Sequence, residues 1–267
     1  MKTLKYFAII GLVALIIPSC QKVIDVTVDD ADENFVIDAF YDANAELVSV
    51  RITRTKALFS PDPNETIDNA DITLTTPSGD IFNLVNLGNG IYELTNLAPE
   101  FDLSYKMTVL MEGEVFEATA FLPTPVPLDS LTQEFQPASL FGPEGYIIFM
   151  NLTDPGGENF YRAMRIVNGE PLTSLGDQFL FDNSFTSGNV QTVPFFASRY
   201  QPDDTITVEL RSYSREAAQY FSDLFALAGD GGQSAAPANP RTNWNNGALG
   251  VFNAYGYDAK TIIIQEE

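Results

Sequence analysis

Histidine is missing from the 267-residue sequence, and cysteine occurs once, at Cys20. A zinc site, a Ser-His-Asp triad and a Cys-His pair each need an imidazole or a free thiolate. All three are therefore excluded if the Cys20 thiol is covalently modified. One cysteine also cannot form a disulfide within the chain. The sequence therefore predicts a fold held by its apolar core. It predicts no enzyme, no catalytic residue and no cofactor.

Basic residues are scarce, with 14 Lys and Arg against 36 Asp and Glu. Such a chain repels nucleic acid and anionic lipid, so neither is expected as a partner. Strong acidity is typical of a solubility device and, less commonly, of a calcium-binding surface. Asp30 to Asn34 imitate the start of an EF-hand loop, but Phe35 stands where glycine is required and Tyr41 where the bidentate glutamate belongs. We therefore assign no metal ligand.

Long apolar runs are also lacking, since the longest candidate, Phe7 to Ile17, is too short for a membrane helix of about 20 residues. With Lys2 and Lys5 before it, this run predicts that residues 1–19 are a secretion signal. The signal ends at a cysteine instead of an A-x-A-like site and resembles a bacterial lipoprotein box.

The resemblance implies a diacylglycerol on the Cys20 thiol and a further acyl chain, such as palmitate, on its amino group. Two or three acyl chains anchor a protein durably, because each buried methylene contributes about 0.8 kcal/mol. The alternative is a plain secreted protein whose cysteine falls there by chance. Cleavage before Cys20 leaves 12 basic and 36 acidic residues, a formal charge of −24.

Two β-rich domains are predicted after a polar tether at 20–34. Seven short runs with turn signals between them predict an immunoglobulin-like or prealbumin-like sandwich over 35–122. The predicted strands are 35–41, 46–54, 70–76, 80–86, 90–95, 103–111 and 114–122. Three prolines within Pro123 to Pro127 indicate an extended linker over 123–130.

A larger β-sandwich or barrel with one helix is expected over 131–267. Its predicted strands are 145–153, 159–167, 177–182, 190–196, 204–213, 248–257 and 260–265. The helix is predicted near 215–228, with Ser214 as its cap and an apolar stripe that packs on a sheet. A partner-binding role for this stripe is the less common alternative. Glycines among aromatics in 248–257 indicate a strand that bends or lets another backbone approach closely.

A long loop follows the helix at 229–247 and holds the only tryptophan. Tryptophan is enriched at binding hot spots, and asparagine offers both a donor and an acceptor without charge. The candidate binding residues are Asn239, Asn243, Trp244, Asn245 and Asn246, which would suit a polypeptide or a sugar. In the structural alternative, which we favour, Trp244 plugs the sandwich and Asn245-Asn246-Gly247 forms a tight turn.

Pairs of carboxylates arise often by chance in so acidic a chain and do not identify a glycosidase, whose two carboxyl groups face each other across a substrate. Asp154 to Glu158 have a turn-forming composition, and their carboxylates are expected to be incidental. A carboxylate-dependent hydrolase is therefore the least favoured hypothesis.

Three motifs together carry a family resemblance. They are Asn239-Pro240-x-x-Asn243-x-x-Asn246-Gly247-Ala248-Leu249-Gly250-Val251-Phe252, then Asn159-Phe160-Tyr161-Arg162, and Cys20-x-x-x-Ile24-Asp25. In order and spacing they resemble domain-of-unknown-function family 4249 of Bacteroidota outer-membrane lipoproteins, over nearly the whole mature chain. Members are often encoded beside TonB-dependent transporters.

The resemblance implies a lipid-anchored envelope protein that assists such a transporter in capturing or admitting a nutrient. It carries over no catalytic residue. Gln21-Lys22 match the start of a surface-export signal, but Val23-Ile24 replace the expected acidic pair. We expect the cell surface of the outer membrane and leave the periplasmic face open. The alternative function is adhesion or envelope assembly without a small ligand.

Overall fold

The computed structural model describes residues 33–56, 60, 62–140, 142–174, 177–184, 188–228 and 239–266. The predicted signal, Cys20, the imitation EF-hand loop before Glu33 and the loop residues 229–238 lie outside this range. The described part from Glu33 onward forms one compact unit.

Sixteen strands and one helix are found in the described residues, which confirms the predicted mainly β class. The strands are β1 (Phe35–Asp42), β2 (Leu47–Arg54), β3 (Asp71–Thr75), β4 (Ile81–Asn83), β5 (Val85–Gly88), β6 (Ile91–Thr95), β7 (Leu103–Met111), β8 (Glu114–Leu122), β9 (Leu128–Gln136), β10 (Gly145–Thr153), β11 (Phe160–Val167), β12 (Glu170–Pro171), β13 (Phe179–Asp182), β14 (Val190–Pro194), β15 (Thr205–Tyr213) and β16 (Phe252–Ile263). The helix is α1 (Arg215–Ala228).

A nine-stranded sheet runs through both halves of the chain in the order β12-β11-β15-β16-β1-β2-β6-β5, with β13 also paired to β11. Two smaller open sheets complete the described architecture, β4-β3-β7-β8 and β14-β10-β9. The pairing of β1 with β16 is parallel and joins the first described strand to the last. The large sheet is therefore a platform shared by both halves.

Both small sheets lie on the same face of this platform. On β16, Phe252 and Ala254 lie opposite Ala39 and Tyr41 of β1, while Ile262 lies opposite Ile206 of β15. These β16 residues are all even-numbered and so project from one face of the strand. One core packs against β4-β3-β7-β8 and contains Tyr41, Tyr105 and Phe116; the other packs against β14-β10-β9 and contains Ile148, Tyr161 and Leu210.

The opposite face of the platform carries α1. Ser214 caps the helix, because its Oγ accepts a hydrogen bond from the Ala217 amide at 3.2 Å. Phe221 packs on Tyr213 with ring centroids 5.3 Å apart, and the Arg162 guanidinium lies 4.5 Å from the centre of the Phe221 ring. The apolar stripe thus packs on a sheet, as the sequence predicted.

The division into two sequence-continuous domains differs from what the structure shows. Trp244, Ala248, Phe252 and Ala254 are buried in the first core, although the prediction placed them in the second domain. The reason is the parallel β1–β16 pairing, a long-range contact that leaves no local signal. Of the two expected alternatives for the second half, a sandwich and a barrel, the described residues form open sheets and so match the sandwich.

Three element boundaries also need correction. The linker predicted over 123–130 is shorter, because β9 begins at Leu128 and was not predicted. The strands predicted at 248–257 and 260–265 form the single strand β16. The strand predicted at 80–86 divides at buried Leu84 into β4 and β5, which belong to different sheets.

Candidate functional site

The predicted Asn-rich site lies along β8, the edge strand of its sheet. Asn243 donates from Nδ2 to the carbonyls of Thr119 (3.0 Å) and Phe252 (2.8 Å), and its Oδ1 accepts from the Phe252 amide (2.9 Å). The side chain therefore connects β8 to β16 by backbone contacts on both sides.

Asn245 and Asn246 continue this contact along β8. The Asn245 amide donates to the Glu117 carbonyl at 3.1 Å, and its Oδ1 accepts from the Glu117 amide at 2.7 Å. Asn246 donates from Nδ2 to the Val115 carbonyl at 2.6 Å. Outward backbone groups of β8 are thus satisfied by amides in place of a neighbouring strand. We call residues 243–246 the asparagine cap.

Trp244 anchors the asparagine cap in the first core. Its side chain is buried, its Nε1 donates to the Ile37 carbonyl at 2.9 Å, and its ring lies 6.4 Å from that of Phe252. Asn246 and Gly247 both have positive φ, 52° and 75°, as the predicted tight turn requires. The geometry matches the structural alternative for Trp244. Asn239 is exposed, and the bonds to β8 come from the other asparagines.

Two adjoining cavities lie against β8. The first, which we call the junction cleft, has a volume of about 650 Å³ and lies between the end of β8, residues 123–127, the end of β15 and the start of α1. The second, the edge cavity, has a volume of about 700 Å³ and includes Asn243 and Asn245 in its lining. Both cavities are lined by Phe121 and Glu216, so they share a wall. Two predicted site residues therefore border a cavity, although their hydrogen bonds serve the fold.

Residues 123–127 form one wall of the junction cleft, and we call them the proline strap. Its backbone is fixed at two points. The Val126 amide donates to Ser212 Oγ at 3.1 Å, and the amide of Leu128, the first residue after the strap, donates to Asp258 Oδ2 at 2.7 Å. Pro125 lies over β16 at Gly256, where a Cβ atom would come 2.6 Å from the proline ring. Gly256 thus permits the close approach of a proline ring. The close approach of another backbone, which the sequence indicated, occurs at Gly250, where a Cβ atom would come 2.4 Å from the Ile37 carbonyl.

The opposite wall brings charge to the cleft at the start of α1. Arg215 forms an ion pair with Glu158 and lies 5.5 Å from the centre of the Phe160 ring. Glu216 stands in the first turn of the helix, where the helix dipole favours negative charge. Asp102 accepts from Thr124, at 3.0 Å from its amide and 2.9 Å from its hydroxyl. The cleft therefore combines apolar proline and aromatic surface with a few charged groups, which is typical of a binding pocket.

Asp154 is a buried carboxylate with a structural role, so the expectation that it is incidental to a turn is wrong. It is 2% exposed and organises the loops beside the cleft. Its donors are the Gly156 amide (2.8 Å), Asn183 Nδ2 (2.8 Å), the Gly188 amide (3.1 Å), the Tyr161 hydroxyl (2.7 Å) and Gln191 Nε2 (3.4 Å). A turn composition alone could not reveal donors that come from three other segments.

The hydrogen bonds decide the ionisation of Asp154. Burial alone would raise its pKa, but the bonds from Asn183, Tyr161 and the two glycine amides hold the pKa below its usual range. Burial, followed by the bond to this carboxylate, raises the pKa of Tyr161. Asp154 is thus an ionised structural acceptor whose oxygens are engaged.

The described residues contain no group of three or more His, Cys, Asp or Glu side chains placed to hold a metal ion. Within the same residues, no helix is long and apolar enough to cross a membrane.

The family model "Domain of unknown function (DUF4249)" matches residues 21–261. The chain belongs to this family. The DUF4249 match includes the asparagine cap, the proline strap and both cores apart from Ile262 and Ile264 of the second. No curated protein matches the chain.

Several solved structures show low similarity to this DUF4249 chain. The chicken interferon gamma receptor alpha chain has a TM-score of 0.24 and 10% identity, over 88% of this chain and 98% of the receptor chain. A DUF4785 family protein from Legionella pneumophila has a TM-score of 0.23 and 13% identity, over 67% of this chain and 51% of the other. E. coli alpha-2-macroglobulin has a TM-score of 0.23 and 10% identity, over 70% of this chain and 14% of its own.

Proposed function

We propose that this DUF4249 protein is a lipid-anchored envelope binding protein that assists a TonB-dependent outer-membrane transporter in substrate capture or uptake. The lipoprotein-type sequence ending at Cys20 supports the anchor, and the family context supports the transporter. The observation that carries the binding role is the junction cleft, whose proline strap is fixed in place by bonds to Ser212 and Asp258.

The cleft suits contact with a ligand or a polypeptide without bond cleavage. Two of its carboxylates are already engaged, Asp102 with Thr124 and Glu158 with Arg215. A carboxylate-dependent hydrolase would need two carboxyl groups that face each other across the substrate. The proposal therefore assigns the cleft to recognition and names no catalytic residue.

The test is co-purification of the full chain from detergent-solubilised outer membrane, with mass spectrometry of the proteins that accompany it. Recovery of a TonB-dependent transporter is expected with the native protein. Cys20→Ala should remove the anchor and the recovery together. Protease treatment of intact cells in parallel should cleave the body if it faces the cell surface.

A matched pair of arginine variants links the transporter contact to the cleft. Arg215 and Arg241 are both exposed and each is paired with one carboxylate, Glu158 or Asp223, but only Arg215 lines the junction cleft. Arg215→Glu should lower transporter recovery at least about tenfold, as expected for a charge reversal at a contact. Arg241→Glu should leave it unchanged. Equal recovery with both variants, or no transporter with the native chain, would refute the proposal.

A specific observation favours envelope assembly or adhesion as the second candidate. Large apolar side chains are exposed on β4, at one edge of the four-stranded sheet, and on β5, at the end of the platform. A protein that recovers without a transporter, and whose body is shielded from protease in intact cells, would support this alternative.

A further inference from the structure

The segment Ile81 to Gly88, which we call the β4–β5 corner, exposes large apolar side chains. Ile81 is 67% exposed, Val85 62% and Leu87 57%, while Phe82 is 38% exposed. Leu84, between the two strands, is buried and donates its amide to the Ile72 carbonyl at 3.0 Å. A segment fixed at its centre thus carries apolar groups on both sides, as interaction sites often do.

The corner ends two sheets. In the described topology β4 is the last strand of the four-stranded sheet, and β5 is the last of the large sheet. The Thr76 amide bonds the Asp80 carbonyl, and the Leu84 amide bonds the Ile72 carbonyl. Because bonded and non-bonded pairs alternate in an antiparallel ladder, the amides and carbonyls of Ile81 and Asn83 point away from β3. An added strand could pair with them.

Other edges of the described sheets carry protective features. The asparagine cap covers β8. On β9, Gln133 exchanges two hydrogen bonds with the backbone of Gln265. The strand β12 has two residues, one of them Pro171, and β14 ends at Pro194. Residues 81–88 contain no proline and no charged residue. The corner therefore lacks the features that blunt these four edges of the described sheets.

Hydrogen bonds fix the shape of the corner before any partner arrives. Asn86 Nδ2 donates to the Asp68 carbonyl, and Asn86 Oδ1 accepts from the Gly88 amide at 2.6 Å. A bulge in the β5–β6 pairing falls between Asn86 and Gly88, at Leu87. Bulges redirect side chains, and a fixed surface loses little conformational entropy on binding.

Charge identifies the kind of partner. The stretch 57–105, which contains the corner, has eight acidic residues and no basic one. The neighbouring strands place their basic residues away from these edges, Arg51 and Arg54 on β2 and Lys106 on β7. Arg54 is paired with Glu112 and Lys106 with Glu117. A second copy of this chain would bring the same negative charge, whereas a basic segment would be attracted.

We infer that the β4–β5 corner is a docking surface for an extended, apolar segment of a partner protein that carries Lys or Arg at its ends. The segment adds to β4 as a strand, covers Ile81 and Val85, and meets the surrounding carboxylates with its basic ends. This inference concerns a surface apart from the junction cleft and does not depend on the proposed transporter role.

The test uses the full chain purified in detergent and a labelled peptide of alternating valine and threonine with two lysines at each end. Fluorescence anisotropy should show binding. Ile81→Glu and Val85→Glu should each weaken it at least about tenfold, the effect of losing a central interface residue. The matched control is Val190→Glu, because Val190 is 70% exposed on another edge strand, β14. Its affinity should stay within about twofold of the native chain.

A second peptide, with glutamates in place of the lysines, checks the role of charge and should bind at least about tenfold more weakly. Ile81→Thr serves as a milder variant if Ile81→Glu does not fold. Absence of binding, equal binding of both peptides or an equal loss in Val190→Glu would overturn the inference. So would light scattering that shows a native dimer abolished by Ile81→Glu, since the occupant would then be a second copy.

Discussion

The four-stranded sheet β4-β3-β7-β8 has one covered edge and one open edge. Along β8, the amides of Asn243, Asn245 and Asn246 bond the outward backbone, and Trp244 fixes them to the core. At the β4–β5 corner, the edge stays open and exposes Ile81 and Val85. The comparison teaches that asparagines in a loop can satisfy the backbone of an edge strand. It also shows that only the β4 edge of this sheet keeps exposed apolar side chains beside an unpaired backbone.

The strongest test of this comparison removes the anchor of the asparagine cap. Trp244→Ala should lower the free energy of unfolding by about 3–5 kcal/mol, because it empties a large buried site beside Phe252. Denaturant titration measures the loss. Trp244→Phe, which keeps most of the packing and loses the bond to Ile37, should cost much less; equal losses would mean that packing is not what fixes the cap.

A smaller loss is expected when the approach of the two backbones is blocked. Gly250 has φ of 90°, and a Cβ atom there would come 2.4 Å from the Ile37 carbonyl. Gly250→Ala should therefore cost about 1–3 kcal/mol of unfolding free energy. Gly247, also at positive φ, has no atom within 4 Å of its Cβ position and serves as the control. A larger loss in Gly247→Ala would contradict the close-approach argument.

Acid should weaken the loops around Asp154 and leave the asparagine cap unaffected. Asp154→Asn should cost about 1–3 kcal/mol at neutral pH, since donors lose a charged acceptor. Because the folded pKa of Asp154 is lowered, its contribution is complete above the unfolded pKa and is lost as pH falls through the folded value. When the free energy of unfolding is measured at pH values from 6 to about 2, it should fall more steeply with decreasing pH in the native chain than in Asp154→Asn. The neutral amides of the cap should add no slope, so Asn245→Ala should leave the slope as it is.

Opening the capped edge directly should have a modest effect. Asn245→Ala removes the acceptor of the Glu117 amide and should lower the unfolding free energy by about 1 kcal/mol. Hydrogen exchange at the Glu117 amide should become faster, while exchange at the Val109 amide in the same sheet stays slow. Unchanged exchange at Glu117 would show that the cap does not protect β8.

The smallest effect on stability is expected at the open corner. Ile81→Thr should change the unfolding free energy by less than about 0.5 kcal/mol, because the side chain is 67% exposed and β-branched residues suit a strand. Denaturant titration beside Val190→Thr tests this. A large loss at Ile81 alone would indicate that the corner supports the fold and is not kept for a partner.

Much of the local structure could be predicted from the sequence. The capping serine, the apolar spacing and Gly229 as a stop signal predicted α1 with its observed bounds, Arg215–Ala228. Alternation and turn residues predicted most strands, including β7 and β8 with identical limits. The structural alternative for Trp244 was also available, because a lone tryptophan before an Asn-Gly turn suits a core position. These features depend on neighbours in sequence.

Long-range contacts could not be predicted. The parallel pairing of β16 with β1 moves Phe252 into the first core, and no periodicity within either strand reveals the partner. Asp154 takes its donors from Asn183, Gly188 and Gln191, so its role depends on loops that meet only in the folded chain. Proline composition predicted an extended strap, but its place in the cleft wall depends on Gly256, more than a hundred residues away.

The position of β16 also has a consequence for the order of folding. This strand comes last among those described, yet it lies inside the platform between β15 and β1. Neither core can close until it is available, and contacts of such high sequence separation form slowly because the chain must first close a long loop. A chain built in this way is expected to complete its two cores only after β16 has been made. The last of the described strands to be made is therefore the one on which the closure of both cores depends.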